Sequence, residues 1–102
     1  MTGPCALCGR EETLTRHHLI PRTRHRHKRN KRLFPREFVR ETVGLCPPCH
    51  KQIHALFSEK ALEEKLRTIE TLREESEMKK FLEWIRAKPA GFRPQTRHAK
   101  TF

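Results

Sequence analysis

No run of about 18 apolar residues occurs in this 102-residue chain, so no segment is expected to span a membrane. The first ten residues, MTGPCALCGR, also lack the basic start and apolar stretch of a secretory signal. A reducing cytoplasm is therefore the expected location, and there paired cysteines read as metal ligands rather than disulfides. Apolar residues are scarce overall: 34% of the chain is hydrophobic, no more than is charged. That length fits one domain and excludes two full cores. A core this thin commonly needs a metal or disulfide staple, as folded cores below about 70–80 residues do. No internal repeat is present. Acidic residues are few, 12 against 23 Lys and Arg, giving a net charge of +11. Such an excess points to an anionic partner, nucleic acid first. It is also uneven: Arg16 to Arg40 holds ten Lys or Arg and one acid, Glu37, whereas Lys51 to Arg86 holds eight basic and eight acidic residues.

Local patterning gives a coarse α+β reading. Residues 1–12 form a turn around Cys5 and Cys8 that ends at Gly9. Residues 13–20 (TLTRHHLI) suit a short strand that Pro21 ends. Residues 22–37 read as an extended basic loop, and 38–45 (FVRETVGL) as a second strand carried by Phe38, Val39 and Val43. Pro47 and Pro48 suit the first turn of a helix that begins with HKQIHALF. Ser58 is a candidate N-cap for a helical stretch with Leu62, Leu66, Ile69 and Leu72 on one face. A further helix is expected from Glu77 to Ala87, with Met78, Phe81, Leu82 and Ile85 inward and Trp84 beside them. Phe81 and Trp84 read as core rather than as a base-stacking platform. The expected organisation is a metal-stapled unit over 1–57, a helical extension over 58–88 packed on it, and a mobile basic tail over 89–102.

Cys5-x2-Cys8 and Cys46-x2-Cys49 are matched pairs with 37 residues between them. Two such pairs can complete one closed, tetrahedral four-thiolate zinc site, which is structural because it leaves no open position. The alternative is a pair of redox motifs or disulfides, but no thioredoxin-like βαβ pattern surrounds either pair.

Four histidines stand in a second constellation. His17 and His18 are adjacent on the expected first strand, where neighbours point to opposite faces. One can then serve a metal while the other addresses a substrate. His50 and His54 are about one helical turn apart, so both can grip one cation. A second structural zinc site, or solvated histidines on a basic surface, are the competing readings.

The segment Arg16-His17-His18-Leu19-Ile20-Pro21, followed by Leu45-Cys46-Pro47-Pro48-Cys49-His50-Lys51-Gln52-Ile53-His54, resembles the HNH endonuclease superfamily. More narrowly, it is similar to small bacterial HNH proteins that carry two C-x2-C pairs. The resemblance covers roughly residues 5–57 and implies a ββα-metal module, to which the helical patterning adds a C-terminal extension. It implies His17, His50 and His54 as ligands of one catalytic divalent metal and His18 as the general base. A histidine with an ordinary pKa of about 6.5 can accept a proton from water at neutral pH. One metal can bind the scissile phosphate and stabilise the leaving oxygen. Three imidazoles suit Mn²⁺, Ni²⁺, Co²⁺ or Zn²⁺ better than Mg²⁺, which prefers oxygen. The family's middle Asn is replaced: its position falls on Glu41, with Thr42 next, and these two or a backbone carbonyl are the candidates to orient the base.

Arg22, Arg24, Arg26, Lys28, Arg29, Lys31 and Arg32, with Arg16 and Lys51, are the candidate phosphate contacts. Such contacts give affinity without base readout and weaken steeply with salt. His25 and His27 read as loop surface. The expected activity is DNA hydrolysis or nicking, with RNA also compatible, no membrane, and a homodimer as one arrangement. No partner protein is indicated. The alternative is a zinc-containing module that binds nucleic acid without cleaving it.

Overall fold

A tight turn around the first cysteine pair is closed by a hairpin too short to be seen in the sequence. The computed structural model describes residues 1–21, 24–25, 32 and 35–94, with the backbone alone for Arg36 and Val39. Strand β1 (Thr2–Pro4) pairs antiparallel with β2 (Glu11–Thr13). Gly9 takes φ +82° at the end of the turn and donates its N–H to the Cys5 carbonyl at 2.9 Å. Only glycine enters that left-handed region without a Cβ penalty.

Strand β3 (Thr15–His18) pairs antiparallel with β4 (Thr42–Leu45), in the register Thr15 to Leu45 and His18 to Thr42. The single strand expected over 13–20 is therefore shared between two sheets. The chain changes sheets at Leu14, whose N–H bonds the Met1 carbonyl at 2.8 Å. The second strand is also shorter than the expected 38–45. Residues Arg36–Val39 form a helical turn, α1, and Glu41 N–H closes back on the Phe38 carbonyl at 3.2 Å. Pro35 before the turn supplies no donor, and Pro21 beyond Leu19 cannot extend the ladder on the facing strand.

Helix α2 (Pro47–Leu56) starts at the second cysteine pair, with Cys46 as its N-cap and prolines in its first turn. The apolar stretch after it is broken into two helices, α3 (Glu59–Glu64) and α4 (Ile69–Glu74), where one was expected. Ser58 caps α3 through its side chain, as expected. Thr68 and Thr71 form a reciprocal capping box that starts α4 afresh. Helix α5 (Ser76–Arg86) follows, one residue from its expected limits, and buries Met78, Leu82 and Ile85. Among the described residues no helix is long and apolar enough to cross a membrane.

One core joins the cysteine-bearing turns to the helices. Cys5, Cys8, Cys46 and Cys49 share a buried cluster with Leu45, Ile53, Phe57, Leu62, Leu72, Met78, Leu82 and Ile85. Arg73 and Arg86 donate to the Ala6 and Leu7 carbonyls at 3.2 Å each, so α4 and α5 clamp the first cysteine turn. Trp84 departs from its expected place in the core. It is 45% exposed, with its ring near Phe81 and Phe92 and the Lys88 ammonium over it. The other inward positions of α5 are already filled by smaller apolar chains.

Residues 89–94, assigned to the tail by composition, are tied to the core, while 95–102 lie outside the described residues. Arg10 donates to the Pro89 carbonyl at 2.7 Å. Buried Glu12 accepts from Gly91 N–H at 2.9 Å and from both Arg93 terminal nitrogens at 3.0 and 3.2 Å. Those Arg93 bonds, ahead of the burial that opposes them, hold the Glu12 carboxyl below its ordinary range. A depressed folded pKa stabilises above the unfolded value of about 4.3, and the gain is lost as pH falls through the folded value. Glu12→Gln is expected to lower stability by about 1–3 kcal/mol at pH 7, as loss of charged hydrogen bonds does. It should also flatten the acid limb of a stability–pH curve measured by thermal melts. An unchanged acid limb would show that Glu12 is not linked to folding.

Candidate metal centres

The first centre is assembled by two local turns. Cys8 N–H points at the Cys5 sulfur at 3.5 Å, and His50 N–H bonds the Cys46 carbonyl at 3.0 Å as α2 begins. All four cysteines are buried and unbridged, and their Sγ atoms lie within 4.8 Å of one another. Cys8 Sγ and Cys46 Sγ are 3.7 Å apart. Sulfurs on a tetrahedral zinc at about 2.3 Å would lie about 3.8 Å apart, so the four residues fit a metal such as zinc. Packed this closely, the thiols also shift one another's acidity. Hydrogen bonds from Cys46, Cys49 and Cys8 hold the Cys5 thiol far below its ordinary range. Bonds from Cys46 and Cys49 bring Cys8 to about 6. The neighbouring Cys46, Cys5 and Cys8 push Cys49 upward. Thiols packed this closely cannot all ionise unless a cation offsets their charge. Arg10, which sequence reasoning passed over, donates to the Cys46 sulfur at 3.6 Å and pairs with Glu12 at 3.3 Å.

The second centre joins β3 to α2. His17 points inward from the strand, and His50 and His54 project from one face of the helix. Their ring centroids are 5.2 Å apart for His17 and His50, 5.5 Å for His17 and His54, and 5.1 Å for His50 and His54. One ring nitrogen from each lies within 4.8 Å of the others. His17 is almost wholly buried, yet neither of its ring nitrogens has a hydrogen-bond partner among the described residues. Buried polar atoms are seldom left so, since an unmade bond costs about 1–3 kcal/mol. A cation among the three rings would use one of those nitrogens, and this donor set fits a divalent transition metal. Burial, reinforced by His50, His54 and His18, lowers the His17 pKa to about 3. Burial likewise lowers His50. Both rings are then neutral at pH 7, the form that binds metal. His54 is exposed and leaves the cluster open on one side.

His18 is only partly buried and faces away from His17, as strand alternation requires. Its ring stands 5.5 Å from that of His25, whose Nε2 lies 2.7 Å from the Ile20 carbonyl. His25, read from sequence as loop surface, thus borders His18. Thr42 lies directly across the ladder from His18, and the Glu41 carbonyl accepts Leu19 N–H at 3.2 Å. Thr15, two residues before His17, places its hydroxyl 2.7 Å from His50 Nδ1 and 3.0 Å from the Leu45 carbonyl. Strand period alone puts Thr15 on the face of His17, a signal available in the sequence.

The basic residues divide. Arg16 and Lys51 are exposed beside His17 and His50 in the chain, and Arg32 is exposed as well. Arg24 pairs through Nε with the buried carboxylate of Glu63. Charge spacing could not reveal this, because Glu63 belongs to the helical extension. Arg22, Arg26, Lys28, Arg29 and Lys31 lie outside the described residues, as does His27.

No protein-family model and no solved structure matches this chain. It is 39% identical over 90 residues to YisB of Bacillus subtilis (strain 168), described as an uncharacterized protein, and the match covers 87% of this chain and 79% of YisB. On that match the chain belongs to the same family as YisB.

Proposed function

We propose that this protein is a metal-dependent endonuclease or nickase of the HNH type. Zinc holds the thiolate tetrad, and one divalent cation sits on His17, His50 and His54. The observation that carries the reading is the convergence of those three imidazoles around the nitrogens of buried His17, which have no partner among the described residues, with His18 on the opposite face of the same strand. When bound, the cation supplies Lewis-acid stabilisation of charge at a scissile phosphate.

His18 is half-buried and carries the imidazole that a general base needs. It lies close enough to His17 and His50 for its charge to lower both. Thr42 and the Glu41 carbonyl border His18 where relatives in the HNH superfamily place an Asn, and they take the orienting role. Arg16, Lys51 and Arg32, with the cationic run through Arg22, Arg26, Lys28, Arg29 and Lys31, hold the flanking phosphates. DNA is the substrate favoured by the +11 charge. A cytoplasmic setting suits four reduced thiols.

Supercoiled plasmid incubated with the protein and Mn²⁺, Mg²⁺, Ni²⁺, Co²⁺ or Zn²⁺ should be converted to open-circular or linear DNA. Plasmid that stays supercoiled with every metal, while still shifting on a gel, would replace this reading with that of a non-catalytic zinc module that binds nucleic acid.

A further inference from the structure

The Thr15 hydroxyl stands between two groups that compete for its single proton. The Leu45 carbonyl at 3.0 Å can only accept a hydrogen bond, so the hydroxyl donates there. The same oxygen lies 2.7 Å from His50 Nδ1. With its proton committed, the hydroxyl can only accept from that nitrogen. His50 Nδ1 therefore carries a hydrogen. A neutral imidazole has one N–H, which leaves the lone pair on Nε2.

We propose that Thr15 is a positioning residue: its hydroxyl locks His50 as the Nδ1–H tautomer and so presents Nε2 as the metal-binding atom. This assignment rests on the reading of His17, His50 and His54 as a metal centre. Ligating histidines usually donate their other N–H to an acceptor that fixes tautomer and ring orientation. Here that acceptor is a neutral hydroxyl rather than a carboxylate.

The arrangement also couples the two centres. Thr15 and Leu45 are register partners at the end of the β3–β4 ladder. Leu45 immediately precedes Cys46, a member of the thiolate tetrad, and His50 follows Cys49. The tetrad thus fixes both the carbonyl that orients the Thr15 hydroxyl and the helix start that carries His50. Sequence spacing cannot disclose this link, because residues 15, 45 and 50 meet only through strand pairing.

The test uses the full chain with its thiolate site loaded. Long-range ¹H–¹⁵N correlation at neutral pH reads the tautomer of each imidazole before a second metal is added. His50 is expected to hold its proton on Nδ1; a proton on Nε2 overturns the proposal. Ni²⁺ affinity at the histidine site is then measured by competition for wild type, Thr15→Val and Thr15→Ser. Thr15→Val keeps the β-branched shape and removes the acceptor, and should weaken Ni²⁺ by roughly 10–100-fold, the usual effect of losing such a partner. Thr15→Ser keeps the hydroxyl and should stay close to wild type. Equal affinity of wild type and Thr15→Val overturns the assignment, as does a loss in Thr15→Ser as large as that in Thr15→Val. Failure of wild type to bind Ni²⁺ at the histidines would sink the metal reading, and the tautomer measurement would still decide the role of Thr15.

Discussion

Cys49→Ser is expected to leave the chain unfolded at neutral pH, and exhaustive chelation of the wild-type protein should do the same. The four cysteines are not appended to a core; they are part of it. Cys46 and Cys49 are fully buried at the head of α2, and Cys5 and Cys8 lie under the arginines that α4 and α5 extend to the first turn. Structural zinc in small domains contributes an apparent ~10–16 kcal/mol at pH 7. A whole domain is stable by about 5–15 kcal/mol, so losing the ion can exceed the entire margin. A serine hydroxyl stays protonated at pH 7 and does not replace a thiolate. Far-UV circular dichroism should show loss of helix, and metal analysis should show at least one zinc per chain in wild type and none in the variant. The histidine cluster would be lost with it, since the turn at Cys49 launches His50. A Cys49→Ser protein that melts cooperatively near the wild-type temperature would show that the tetrad is not the staple.

What the sequence discloses here is what is locally encoded. A C-x2-C pair closes its own turn, two histidines four apart share a helix face, and adjacent histidines on a strand must part. Each of these follows from backbone geometry over a few residues. The structure accordingly brings Cys5, Cys8, Cys46 and Cys49 together, and separately His17, His50 and His54. The misses lie where distant segments decide. Three-residue strands such as β1 and β2 are too short for periodicity to register. Phe38 and Val39 favour strand by propensity, yet the partner strand β3 ends at His18, paired with Thr42, before the ladder reaches them. Leu62, Leu66, Ile69 and Leu72 keep a helical period in the sequence across a real break, at which the capping box of Thr68 and Thr71 starts a new helix. Arg24 looks like one more cation in a basic run until Glu63 reaches it from the helical extension.

His18→Ala should separate catalysis from metal binding. His17 and His18 are neighbours on one strand but occupy opposite faces, so truncating His18 leaves the inward ring and both helix histidines in place. The variant should retain the divalent ion at the histidine site while plasmid nicking falls about 10²–10⁴-fold, the usual contribution of a general base. His50→Ala should behave differently, losing both the ion and the activity, because it removes a ligand and releases the Thr15 hydroxyl from its bond to Nδ1. Metal content by competition titration and initial nicking rates on the same preparations give the two readouts. Unchanged nicking by His18→Ala would remove it from the catalytic machinery. Loss of the ion in His18→Ala would make it a ligand, and strand alternation would then have misassigned which member of the pair faces the metal.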